Sequence, residues 1–488
     1  MTRAPRTVLH HIGGDRVGSV SGRLHPDRDP WTREVMAEVA SGDGDDTRLA
    51  IAAADAAFPG WAALPPAERQ LVFIRAAEVL DRRAGEVTGL LAAETGCGSY
   101  FAHVQIGFCL SLLRQAAGLP YAPTGQILPS DLPGSRALAV RRPVGVVAAI
   151  APWNAALVLA GRALVGPLAH GNTVVLKPSE ESPITGGTLW AEIFAEAGLP
   201  PGAVNVVTHA PGDAGMIAEA LVTHPLVRRI SFTGSTVTGR RLAELAARHL
   251  KRPLLQLSGH NALLVLGDAD VGLAVEAATY GAFVHQGEVC MCVRRILVDR
   301  SVAEEFTARL VAKVAALPVG DPRDGATVVG PLINEWALSL ISRRVDEAVA
   351  LGARLLTGGR AQGPCYLPTV LTGVPEEAEI AFEETFGPVV LLEVVDGPDE
   401  AVRRANASRY GLTAGIISAD TYRCLELARR LEVGIVHIND QTVNDEPQMP
   451  FGGLKDSGWG RFGLQFAGED FTELQWITMR DGVRSFPF

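Results

Sequence analysis

The sequence predicts an α/β protein built on a doubly wound parallel sheet. Apolar runs of strand length alternate with helix-period segments from Gly145 to His249, the pattern of βαβ units. A glycine-containing turn, Phe232-Thr-Gly-Ser-Thr-Val-Thr-Gly239, links one of these strands to the next helix. Hydrophobic content of 47%, charged content of 20% and 52 glycines fit a soluble α/β protein, and with 6% aromatics the small aliphatic side chains must carry the packing. At 488 residues the chain is long enough for two to four domains with sizeable cores.

Taken in order, the first fifty residues are rich in Asp-Pro and Gly-Asp turns and predict short edge strands. A helix is expected over Pro65–Arg83, where two prolines suit the first turn and Leu71, Ile74, Ala77 and Leu80 recur at helical spacing. Helical patterns follow over Ala84–Thr95 and Tyr100–Ala117. Residues 122–142 are polar, punctuated by Pro and Gly, and alternate in a way that predicts an exposed hairpin of the kind that joins subunits. Strands are then expected at Gly145–Ile150, Asn172–Leu176, Val204–Val207 and Val227–Phe232. Helices at Ala155–Leu168, Pro183–Ala197, Ala214–Val222 and Gly239–His249 interleave with them, giving a nucleotide-binding layout. A second α/β unit begins near Leu254, with strands at Ala262–Leu266, Arg295–Val298, Gly352–Thr357 and Val389–Glu393. Its helices are expected at Ala274–Phe283, Val302–Ala316 and Ala337–Leu351. Thr472–Arg480 closes the chain as a strand that can pair with the hairpin or with another subunit.

Charge and cysteine usage exclude several classes. Net charge is −10 with the basic residues dispersed, which argues against nucleic-acid binding and for a cytoplasmic protein. Six scattered cysteines suit a reducing compartment rather than a disulfide framework. The opening Met-Thr-Arg-Ala-Pro-Arg has no apolar core for a signal peptide. Residues 143–161 carry no charge over a nearly membrane-spanning length, yet Pro152, Trp153 and Asn154 interrupt them, so a strand, a turn and a buried helix are expected instead.

Chemistry concentrates at Phe283-Val-His-Gln-Gly-Glu-Val-Cys-Met-Cys292. Cys290 follows a glycine-containing loop, where a thiol can be reached; a buried structural cysteine is the competing reading. Ser235 and the amides beside it can receive a phosphate at a helix start, with Gly234 allowing close approach; an ordinary Ser-capped turn reads equally well. Cys290, Cys292 and His285 are too tightly spaced for a structural zinc site, so no metal is expected.

Six segments together resemble the NAD(P)-dependent aldehyde dehydrogenase superfamily: Ala151-Pro-Trp-Asn154, Gly171-Asn-Thr-Val-Val-Leu-Lys-Pro-Ser-Glu180, Ser231-Phe-Thr-Gly-Ser235, Gln286-Gly-Glu-Val-Cys290, Glu383-Glu-Thr-Phe-Gly-Pro388 and Pro450-Phe-Gly-Gly453. Their order and spacing match over nearly the whole chain. The stretches His437–Pro447 and Gly460–Gly463 resemble the benzaldehyde, vanillin and salicylaldehyde dehydrogenase branch. The resemblance implies a Rossmann-type NAD-binding domain (1–125 and 143–255), an α/β catalytic domain (256–455) and bridging strands (126–142 and 470–488) that build a homodimer or homotetramer. It implies a Cys290 nucleophile, with the oxyanion held by the Asn154 amide and the Cys290 N–H. The implied cofactor is NAD, with NADP possible, bound by Ile150, Pro152, Trp153, Lys177, Ser179, Glu180, Gly234, Ser235, Glu384 and Phe386. Glu180 would repel a 2′-phosphate. Asn154 capping the following helix, Lys177 at the surface and Glu180 in solvent or at a helix cap remain the simpler alternatives.

The implied substrate is an aldehyde, aromatic because Ala155 leaves room for a ring, in a pocket with Leu159, Arg162 and Phe451. Arg162 either meets a phenol or carboxylate on that ring or pairs with a carboxylate of the protein. The pattern departs at Gln256-Leu-Ser-Gly-His260, where an amide stands in the position of the general base. Either another group (Glu384, Glu288 or His285) activates water, or the acyl group passes to another acceptor such as coenzyme A or an amine, or Gln256 was introduced to trap the thioester. A catalytically silent scaffold is the reading from a different class.

Overall fold

The structure, a computed structural model, describes residues 6–488. Five parallel strands, Val146–Ile150, Thr173–Lys177, Val204–Val206, Val227–Thr233 and Arg252–Gln256, form the middle of an eight-stranded sheet. Val146–Ile150 is buried throughout because helices cover both faces. Val146, Ala148 and Ile150 pack with Ala50, Ile217 and Leu242, while Val147 and Ala149 face Leu164 and Trp190. The chain winds from this strand to Thr173–Lys177 and Val204–Val206 on one side, then crosses to Val227–Thr233 and Arg252–Gln256 on the other. That reversal opens a crevice at the carboxyl ends, the usual ligand position in such sheets. The residues that follow Ile150, Lys177 and Thr233 lie along that edge.

A second sheet has seven strands, in the order Arg354–Thr357, Thr369–Thr372, Val389–Val395, Val293–Asp299, Asn261–Val265, Thr413–Ile417 and Ile435–Ile438. All its pairs are parallel except the outermost one, Arg354–Thr357 with Thr369–Thr372. The strand Thr472–Arg480 pairs antiparallel with Ser135–Pro143, which in turn pairs with Gly125–Leu128. This small sheet stands out from the body and exposes Ile127, Leu474 and Trp476, the last by 79%.

Three differences from expectation have physical causes. A helix at Gly44–Ala63 replaces what reads as turn-rich sequence; Asp43 and Asp46 form a capping box, so the acidic cluster is a helix start. The helix expected from Pro183 begins instead as a wide turn, Ile184–Thr188, and becomes regular over Leu189–Glu196. The buried Glu94 carboxylate accepts the Ile184 and Thr185 amides at 2.7 Å and takes over the capping there. The helix expected from Gly239 starts at Thr236, because Ser235 caps it by accepting the Thr238 N–H. No helix among the described residues is long and apolar enough to cross a membrane.

Candidate active site

Cys290 lies in the connection from the helix Val271–Phe283 to the strand Val293–Asp299. The backbone there is left-handed at three consecutive residues, His285, Gln286 and Gly287. Two of these carry side chains, so the turn is strained and must be held by its surroundings. Gln286 donates to the carbonyls of Gly96 and Pro331, both at 3.1 Å. The buried Arg294 guanidinium donates to the carbonyls of Gly387 (2.7 Å) and Gly287. Asn261 donates to the carbonyls of Cys290 (2.8 Å) and Cys292 (2.9 Å). His285 stacks on Phe101, and a Cβ at Gly287 would stand 2.2 Å from the Gly387 oxygen. Gln286, Arg294 and Asn261 are positioning residues that sequence reasoning missed. Polar groups directed at main-chain carbonyls leave no periodic signal.

Cys290 borders two cavities, and Asn154 borders both with it. Of the six cysteines, Cys290 alone is half-buried; the other five are buried. The helix after Asn154, Ala156–Ala169, has Ala155 at its cap and no side-chain cap, so the capping alternative for Asn154 does not hold. Asn154 is 4% exposed, and its amide has no hydrogen-bond partner among the described residues. The Cys290 N–H is likewise unpartnered. Two free donors therefore sit beside one thiol, the arrangement that holds a developing oxyanion. Burial pushes the Cys290 thiol up to about 12, with the nearby Glu384 carboxylate adding to the effect.

The first cavity, about 360 Å³, contains all four residues expected in a substrate pocket: Ala155, Leu159, Arg162 and Phe451. Phe101, Phe108 and Tyr280 add aromatic walls. Arg162 is ion-paired with Asp445, across 283 residues, and its guanidinium carbon lies 4.2 Å from the Phe451 ring centroid. Its charge is thus met by the protein itself, as one of the two expectations had it.

The second cavity, about 470 Å³, is lined by Pro152, Trp153, Gly234, Ser235, Glu384 and Phe386, six of the ten residues expected to hold a dinucleotide. It runs from the start of the helix Thr236–Arg248, where main-chain amides favour a phosphate, to Cys290. The Ser235 hydroxyl accepts the Thr238 N–H and donates to Thr238 Oγ1, so among the described residues the Thr236 and Val237 amides of the first turn are the donors left free there. Trp153 and Phe386 pack edge to face, their ring centroids 5.7 Å apart, and with Glu384 they wall the groove near Cys290. An aromatic surface and a carboxylate are thus on hand for the ring and ribose of a nicotinamide dinucleotide. Ile150, Lys177, Ser179 and Glu180 lie outside that lining, along the next strand ends. Lys177 is buried, lowered to about 8 by that burial, and contacts His209 at 2.6 Å. Burial raises Glu180, but its own N–H, His209 and Lys177 outweigh this and hold the carboxylate ionised. His209 went unnoticed in the sequence.

Gln256 is 1% exposed and lines neither cavity; its Nε2 donates to Leu257 O at 3.3 Å and its Oε1 is unpartnered. Two carboxylates share the second cavity with Cys290: Glu383, held by Arg409 at 2.8 Å and Tyr410 at 3.0 Å, and Glu384, which accepts the Gly259 N–H at 3.1 Å and is raised by burial. Burial drives Glu288 well above the ordinary carboxylate range and lowers His285 to about 4; neither lines the cavities. Among the described residues no cluster of His, Cys, Asp and Glu could hold a metal ion.

The model of the aldehyde dehydrogenase family matches residues 18–477. A vanillin dehydrogenase of Pseudomonas fluorescens is 47% identical over 476 residues, 98% of each chain. An NAD(+) benzaldehyde dehydrogenase of Pseudomonas putida is 41% identical over 461 residues, 94% of each. The crystal structure of a salicylaldehyde dehydrogenase from Pseudomonas putida G7, complexed with salicylaldehyde, superposes with a TM-score of 0.96 at 38% identity, covering 99% of this chain and all of that one. With its motifs in order and a family match over almost its full length, the chain belongs to the aldehyde dehydrogenase family.

Proposed function

We propose that this enzyme oxidises an aromatic aldehyde to the carboxylic acid, consuming one oxidised nicotinamide cofactor and one water per turnover. The observation that carries this is the position of Cys290 between an aromatic-walled cavity and a groove at the strand ends, with Asn154 at the junction. The named relatives act on vanillin, benzaldehyde and salicylaldehyde, consistent with that cavity. Acyl transfer and a silent scaffold gain no support from the relatives or from the site.

Cys290 loses its proton and its sulfur bonds the aldehyde carbon. The Asn154 amide and the Cys290 N–H hold the resulting oxyanion, a donor of this kind being worth about 10²–10³ in rate. NAD(P), when bound, supplies the acceptor for the hydride that leaves this carbon. Collapse of the oxyanion leaves a thioester on Cys290, and water then releases the acid and the thiol. Gln256 cannot take a proton, so we assign the proton transfers to Glu384. NAD is the favoured cofactor, because the ionised Glu180 would meet a 2′-phosphate. The domain division at 125/143, 255 and 455 belongs to this reading. So does a homodimer or homotetramer joined through the exposed sheet of Ser135–Pro143 and Thr472–Arg480.

The test is reduced-cofactor formation with benzaldehyde, hydroxybenzaldehydes and aliphatic aldehydes, NAD against NADP, with the acid product identified. Aromatic aldehydes should give the highest kcat/KM, and Cys290→Ala should abolish turnover. Equal rates with short aliphatic aldehydes, or activity surviving in Cys290→Ala, would overturn the proposal.

A further inference from the structure

The substrate cavity holds a cation that it does not offer. Arg162 and Asp445 both line it, and their side chains are only 5% and 12% exposed. Arg162 is fixed in place, with Phe451, Phe108 and Phe462 at 4.2, 5.1 and 5.8 Å from its guanidinium carbon. A guanidinium stacked in this way cannot swing toward a ligand without giving up both its aromatic contacts and its carboxylate. Glu446 also lines the cavity but is exposed, and its carboxylate accepts from Gln448 Nε2 at 2.6 Å. The charged lining is therefore Arg162 against Asp445 and Glu446, one positive and two negative groups.

We propose that Asp445 is a specificity-determining residue: by neutralising Arg162 it makes the cavity accept uncharged ring substituents and reject aromatic aldehydes that carry a carboxylate. A substrate carboxylate would be the third in this cavity, beside Asp445 and Glu446, with its one possible cation already engaged. A hydroxyl, methoxy or unsubstituted ring brings no such charge. Specificity here comes from a built-in repulsion rather than from an added attraction. This rests on the aromatic-aldehyde reading above.

The experiment compares kcat/KM for benzaldehyde, 4-hydroxybenzaldehyde and 4-carboxybenzaldehyde in wild type, Asp445→Asn and Glu446→Gln. Wild type should prefer the two uncharged aldehydes by about tenfold or more. Asp445→Asn keeps an acceptor for Arg162 but removes the charge, and should move the carboxylate-to-neutral ratio about tenfold toward the carboxylate. Glu446→Gln, an exposed change that does not disturb the fold, should move it the same way by about threefold, through KM. Competitive inhibition of wild type by 4-hydroxybenzamide but not by terephthalate gives a readout free of folding effects. A wild type that oxidises 4-carboxybenzaldehyde as well as benzaldehyde, or a folded Asp445→Asn with an unchanged ratio, overturns the proposal. If no aromatic aldehyde is oxidised at all, the failure is of the broader reading instead.

Discussion

Replacing Asn154 by Ala separates catalysis from folding more cleanly than any other change at this site. The residue is nearly buried, yet its amide makes no hydrogen bond within the described protein and does not cap the helix it precedes. Its removal therefore orphans no partner, and the stability cost should stay near 1 kcal/mol, read as a small shift in melting temperature. The oxyanion formed at Cys290 loses one of two donors, and such a loss typically costs about 10²–10³ in kcat, or about 2.7–4 kcal/mol. Asn154→Asp should be worse still, since a carboxylate of the same shape presents acceptors to a negative charge. Steady-state cofactor reduction at saturating aldehyde reads the rate, and alkylation of Cys290 confirms that the thiol remains available. A kcat within about threefold of wild type would refute the assignment, and a change confined to KM would make Asn154 a substrate-binding group only.

Further outcomes follow from the same geometry. With its pKa raised to about 12 by burial, the Cys290 thiol is mostly protonated in the free enzyme at neutral pH. Iodoacetamide inactivation should accelerate with rising pH and show no plateau below about pH 10, whereas a plateau near pH 7 would contradict the burial effect. Asn261→Ala leaves the carbonyls of Cys290 and Cys292 without their donor and should lower stability by about 1–3 kcal/mol in a denaturant titration, with kcat falling as the loop loosens. Gly287→Ala forces a Cβ into the Gly387 oxygen at a left-handed residue, so loss of soluble protein or of more than about 2 kcal/mol is expected. An alanine variant as stable and active as wild type would show that the turn relaxes.

The parallel strands were legible because they carry short unbroken apolar runs between helix-period segments, and strands such as Val146–Ile150 and Thr173–Lys177 are buried throughout between helix layers. The strand Thr472–Arg480 and the helix Ala84–Thr95 fall where local pattern puts them. The helix Gly44–Ala63 escaped notice because its capping box is made of aspartates that also read as turn residues. Cys290, Asn154 and the strand-end groove were legible as motifs, since each is set by short contiguous sequence.

By itself, then, the sequence determined the layered sheets, because these depend on periodicity and local turns, while Cys290 and the residues expected along the groove were marked by short motifs that resemble the aldehyde dehydrogenase family. Only the tertiary structure decided which polar groups are free and which are engaged. Asn154 is left open to two cavities while Gln256 is shut away from both. Arg162, which could have served a charged substrate, is bound to Asp445 from a segment far along the chain. Such pairings are chosen by how distant segments pack, and burial makes them decisive, because an unpaired charge in the interior costs far more than one in water.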